Sequence, residues 1–100
     1  MKKGILEMCI LFQISKREMY GYEIMKIIKE AFPEVHEATI YTILRRLNSD
    51  GYTETYFGDT SNGPQRKYYK ITNFGSENLN ININEFEGIV KSVRNLGITN

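Results

Sequence analysis

Residues 4–14 (Gly-Ile-Leu-Glu-Met-Cys-Ile-Leu-Phe-Gln-Ile) are apolar on nearly every side of a helix. Such a helix must be covered all round. In a short chain this calls for a second subunit as well as the chain's own core. Ile5, Cys9 and Phe12 are the residues such a partner would cover. Residues 15–20 read as a polar turn. From Gly21 the pattern becomes a clean amphipathic helix, with Ile24, Ile27, Ile28 and Ala31 or Phe32 in one stripe. Pro33 ends it, because proline lacks the N–H that a continuing helix needs. A second amphipathic helix follows over 36–50. Its Ile40, Ile43, Leu44 and Leu47 obey the i, i+3, i+4, i+7 rule, and Gly51 stands at its C-terminal end.

The period then changes to two. Residues 52–57 (Tyr-Thr-Glu-Thr-Tyr-Phe) predict a strand, 58–64 (Gly-Asp-Thr-Ser-Asn-Gly-Pro) a turn, and 66–72 (Arg-Lys-Tyr-Tyr-Lys-Ile-Thr) the returning strand of a two-stranded hairpin. The last segment carries two patterns. Leu79 to Asn84 alternates like a strand, whereas Leu79, Ile83, Phe86, Val90 and Val93 are spaced 4, 3, 4, 3, as in a coiled-coil seam. The seam persists beyond the alternation, so a helix is expected over about 74–95, capped by Thr72 or Asn73. Three helices, a hairpin and a long helix make an α+β, mostly helical fold. That order is the plan of a winged helix-turn-helix (residues 1–73) followed by a C-terminal helix and tail (74–100), one structural domain overall.

Composition narrows the function classes. At 100 residues, with 25% charged and 41% apolar residues, one soluble globular domain is expected. No apolar run is long enough for a membrane span. The N-terminal Met1-Lys2-Lys3 and the apolar stretch after it do not make a secretory signal. Glu7 interrupts the stretch, and no small-residue cleavage site follows. One cysteine and one histidine, His36, speak against an internal disulfide, a metal site and a Ser-His-Asp centre. No metal, cofactor or enzymatic activity is expected. The net charge of +1 is uninformative, so any nucleic-acid reading has to rest on local geometry.

That geometry is offered by residues 36–49. Advancing 100° per residue from a buried Ile40 puts Ala38, Thr42, Arg45 and Ser49 opposite the core, flanked by Thr39, Tyr41 and Arg46. A helix in the major groove needs slender side chains near its N-terminus for base edges, with guanidiniums beyond them for phosphates. Thr39 and Thr42 are the candidates for base edges, and Ala38 permits close approach. Arg45 and Arg46, with Arg66 and Lys67 of the hairpin, are the candidates for phosphates or the groove margin. Tyr20 and Tyr41 are candidate backbone supports. Each of these residues also has a plain structural explanation, as a solvated helix face or a charged edge hairpin. Tyr20 or Tyr22 equally fits packing beneath the hairpin, and Met8, Met19 and Met25 fit core gaps as well as a ligand cavity.

Three linked segments carry a family resemblance: Tyr20-Gly-Tyr-Glu-Ile24, then Ala38-Thr-Ile-Tyr-Thr-Ile-Leu-Arg-Arg-Leu47 with Gly51, then Arg66-Lys-Tyr-Tyr-Lys-Ile-Thr72 with Gly75. In order and spacing, from about Gly4 to Gly75, the chain resembles the PadR family of transcriptional regulators. With one helix after the hairpin, it is similar to the short subfamily with a single C-terminal dimerisation helix. The resemblance implies a cytoplasmic homodimer that binds double-stranded operator DNA, usually as a repressor. It also implies that the C-terminal helix (Leu79, Ile83, Phe86, Val90, Val93) packs against the partner's first helix (Ile5, Cys9, Phe12). Many relatives have Gly where Ala38 stands, so operator sequence does not carry over. Some short relatives bind flat aromatic compounds between tryptophans, and this chain has no tryptophan. The expectation is a homodimeric repressor reading a near-palindromic site. A separate hypothesis is release by a small hydrophobic or phenolic effector that wedges between the first and last helices. The alternative is a winged-helix protein-interaction module that does not bind DNA.

Overall fold

The computed structural model describes residues 3–58 and 63–98. Residues 59–62 of the expected turn lie outside the described residues, as do Met1, Lys2 and the last two residues of the tail. The elements run α1 (Lys3–Lys16), β1 (Met19–Tyr20), α2 (Gly21–Ala31), α3 (Glu37–Ser49), β2 (Thr53–Gly58), β3 (Arg66–Ile71) and α4 (Asn73–Asn95). The three strands form one antiparallel sheet in the order β1-β3-β2.

Helix α1 lies at the centre and packs on α2, α3, α4 and β3. It buries Leu6, Ile10, Leu11 and Ile14, while Ile5, Met8 and Cys9 are half-buried and Phe12 is exposed. Burial pushes the Cys9 thiol pKa up. Its neighbours contribute Ile24, Met25 and Ile28 from α2, and Ile40, Ile43, Leu44 and Leu47 from α3, to one continuous core. Met25 belongs to the buried stripe and Ala31 does not; Ile27 and Phe32 pack at its edge.

The two-stranded hairpin expected from the sequence is part of a three-stranded sheet. The expected polar turn over 15–20 is replaced by the last turn of α1 and by β1. Met19 pairs with Tyr69 and is buried, and Tyr20 pairs with Tyr68. Two residues are too few to display a period of two, so tertiary pairing alone makes this strand.

The junction between the sheet and α4 is tightly built. Thr72 caps α4, its Oγ1 accepting from the Gly75 N–H at 2.9 Å. Phe74 stacks on Tyr52 with ring centroids 5.0 Å apart. Asn78 Nδ2 donates to the Tyr52 hydroxyl at 3.4 Å. Gly75 is buried so closely that a Cβ there would overlap the Tyr52 carbonyl oxygen. The stretch 79–84 is helical throughout. Its alternating asparagines do not prevent this, and Asn82 Nδ2 donates one turn back to Asn78 Oδ1 at 2.9 Å. After Ile83 the helix leaves the core behind.

Candidate nucleic-acid interface

Helix α3 opens at His36, whose carbonyl accepts from the Thr39 and Ile40 N–H groups at 3.0 and 3.3 Å. Lys29 Nζ donates to the Val35 carbonyl at 2.6 Å and fixes the turn between α2 and α3. With Ile40, Ile43, Leu44 and Leu47 locked in the core, the opposite face presents Ala38, Thr39, Thr42, Arg45 and Ser49 to solvent. Two side chains on that face are ordered by each other. Thr42 Oγ1 donates to the Ala38 carbonyl at 2.9 Å, and Arg45 Nη2 donates to Thr42 Oγ1 at 3.1 Å. The guanidinium is therefore held along the helix surface before anything binds.

The flanks of α3 are fastened to its neighbours. On one side, half-buried Tyr41 lies so near α2 that a methyl at Gly21 would meet its Cε1 at 3.2 Å. Burial is the first cause that raises the Tyr41 phenol pKa, followed by Glu37 and Tyr22. On the other side, Arg46 turns toward α1 and donates from Nη2 to Glu7 Oε1. An open groove of about 580 Å³ runs alongside, between α1 and the first turns of α3, with Leu6, Val35 and Ile43 on its floor.

On the sheet, Arg66 stands opposite Gly58 and Lys67 opposite Phe57. The Arg66 guanidinium lies 4.5 Å from the Tyr20 ring centroid, within cation–π range. Lys67 Nζ lies 5.8 Å from the centroid of buried Tyr69. Tyr20 continues into a row of rings: Tyr68 at 5.7 Å from it, then Tyr56 stacked on Tyr68 at 5.5 Å. The Tyr56 hydroxyl donates to Glu18, and this bond is the first cause that raises its pKa. At the start of α2, Glu23 accepts from the Tyr20 N–H at 3.2 Å and pairs with Arg17 at 3.0 Å. Partial burial opposes ionisation of Glu23, but the bonds from Arg17 and Tyr20 outweigh it and lower its pKa.

The structure thus gathers Ala38, Thr39, Thr42 and Arg45 on one exposed helix face. It sets Arg66 over Tyr20 on the sheet, and turns Tyr41 and Arg46 toward neighbouring helices. Of the terminal-helix residues, Leu79 is 4% exposed within its own chain and Ile83 packs against the same core. Phe86 is exposed, and Val90 and Val93 are half-buried. The seam spacing did not single out Ile89, 62% exposed on the same projecting helix, or Leu96, 77% exposed at its C-terminal cap. Nor did local spacing reveal the part played by Glu7, whose partner is 39 residues away. Among the described residues, no helix is long and apolar enough to cross a membrane, and no group of three His, Cys, Asp or Glu is placed to hold a metal ion.

Comparison with known proteins gives a consistent result. The model of the transcriptional regulator PadR-like family matches residues 10–81. A PadR-like transcriptional regulator of Bacillus cereus is 37% identical with a TM-score of 0.86, the match covering 98% of this chain and 96% of that one. A PadR family transcription regulator of Clostridium difficile is 33% identical with a TM-score of 0.82, covering 91% and 96% respectively. Bacillus subtilis PadR, solved in complex with operator DNA, is 26% identical with a TM-score of 0.67. That match covers 76% of this chain and 45% of that one.

Proposed function

We propose that this chain, which belongs to the PadR-like family of transcriptional regulators, binds operator DNA as a homodimer and represses transcription. The observation that carries the reading is the exposed face of α3, with Ala38, Thr39 and Thr42 slender at its N-terminal half and Arg45 beyond them. The complex of Bacillus subtilis PadR with operator DNA supports it at the level of the family. In this reading α3 enters the major groove, Thr39 and Thr42 reach base edges, and Ala38 lets the helix approach closely. Arg45, Arg66 and Lys67 take phosphates, with Tyr20 and Tyr41 as their supports. Two copies place their α3 helices in successive major grooves of a near-palindromic site. The protein works in the cytoplasm, needs no cofactor and performs no chemistry.

The dimer forms through α1 and the projecting half of α4, which carries exposed Phe86 and Ile89 and half-buried Val90 and Val93, with exposed Leu96 directly after it. A small hydrophobic or phenolic effector wedged between these helices shifts the two reading heads and releases the operator. Compounds of that class that neither bind nor alter operator affinity are excluded as effectors.

The test is a gel-shift titration on the protein's own promoter region, repeated at several salt concentrations. Removing one cation from a phosphate lowers the slope of log affinity against log salt by about one. The Arg66→Ala, Lys67→Ala double variant, which removes two cations from each subunit of the dimer, is expected to bind more weakly with a slope lower by about four. Wild-type affinity and slope in that variant would refute the wing assignment. No shift by the wild-type protein at low salt would favour a protein-interaction module instead.

A further inference from the structure

We infer that Arg46 is a positioning residue rather than a phosphate contact: paired with Glu7, it ties the recognition helix α3 to α1 and so sets the spacing between the two reading heads. The inference rests on the DNA-binding reading above and deepens it.

Glu7 is the only acidic residue of α1, a helix otherwise apolar on nearly every side. A carboxylate there is exposed to a desolvation cost unless a cation answers it. Arg46 answers it from 39 residues away, with both side chains 28% exposed. Partly withdrawn from water, such a charge-assisted bond is stronger than an exposed pair, and removing one partner leaves the other uncompensated. Arg46 also lines the open groove shared by Leu6 of α1 and Ile43 of α3, so the pair joins the two helices beside that groove. Arg46 lies one turn beyond Thr42 and two beyond Thr39, so a tilt of α3 about this point displaces the base-reading residues directly. In the proposed dimer α1 lies at the two-fold interface. The link from Glu7 to Arg46 then transmits the position of that interface to each reading head.

The experiment uses a duplex selected by the wild-type protein from a random-sequence library. Two companions have one base pair inserted or removed at its centre. Affinities for the three duplexes and the salt slope are measured for wild type, Glu7→Gln, Arg46→Gln, the pair of these, and the reversed pair Glu7→Arg with Arg46→Glu. Glu7→Gln keeps the shape of the side chain, and thermal melting verifies that each variant is folded. Each single variant is expected to lower the preference for the selected spacing roughly five-fold, with the double variant no worse than either. The reversed pair recovers the preference, and the salt slope stays at the wild-type value. The inference is overturned if Arg46→Gln lowers the slope by about two, one cation from each subunit, and weakens all three duplexes alike while Glu7→Gln is silent, because Arg46 would then be holding a phosphate. If the wild-type protein selects no duplex at all, the DNA-binding reading itself fails, and this inference with it.

Discussion

Thr53 is 2% exposed at the start of β2, and its Oγ1 has no hydrogen-bond partner among the described residues. A buried hydroxyl without a partner costs about 1–3 kcal/mol by mutational measures. Valine has nearly the same shape and favours strands. Thr53→Val is therefore expected to raise stability by about 1 kcal/mol, read as a higher melting temperature at fixed protein concentration. A lower melting temperature would mean that the hydroxyl is satisfied by water. At this scale the solvent-facing side of α3 was legible in the sequence. One buried position, Ile40, and a 100° step place every side chain of the helix, and the core agrees at Ile43, Leu44 and Leu47. The partners of the flanking residues were not legible. That Arg46 faces Glu7, and that Arg66 lies over Tyr20, depend on how distant segments meet, which no local spacing encodes.

Among the elements, α4 depends on one close approach. Alanine at position 75 would gain about 1 kcal/mol of helix propensity over glycine. Its Cβ, however, would overlap the Tyr52 carbonyl oxygen and lie 2.9 Å from Ile71 Cγ1. A backbone carbonyl held in the Gly51–Tyr52 turn cannot swing aside like a side chain. Overpacking of this kind costs about 1–3 kcal/mol, which outweighs the propensity gain. Gly75→Ala is expected to destabilise the fold by up to about 2 kcal/mol net, read as a lower urea midpoint, whereas Gly88→Ala, where a Cβ meets nothing within 4 Å, is expected to raise it. Equal effects at the two positions would contradict the close-approach account. Sequence pattern identified the four helices and the hairpin because each is long enough to repeat its own period. The Leu79–Asn84 alternation was outweighed by a seam that continues to Val93, and the helix indeed runs from Asn73 to Asn95. Strand β1 escaped notice because two residues carry no period and its existence depends on pairing with β3.

For the whole molecule, a chain with a net charge of +1 has no long-range field to draw it to DNA. In our proposal, affinity comes instead from cations gathered on one side, and symmetry doubles them. That places the weight of the account on dimerisation. Helix α4 spans about 34 Å, yet only Gly75 and Leu79 along it are buried, while Phe86 and Ile89, and Leu96 at its cap, stand exposed. A specific, stable protein–protein interface typically covers about 1,200–2,000 Å² in total, and an obligate homodimer often more. The central claim is therefore tested most directly by the mass of the purified protein in solution, measured by sedimentation equilibrium at micromolar concentration. The account predicts twice the 11.7 kDa of one chain for the wild type and a single-chain mass for Phe86→Glu, Ile89→Glu. A wild-type protein that sediments as a stable 11.7 kDa monomer would contradict it.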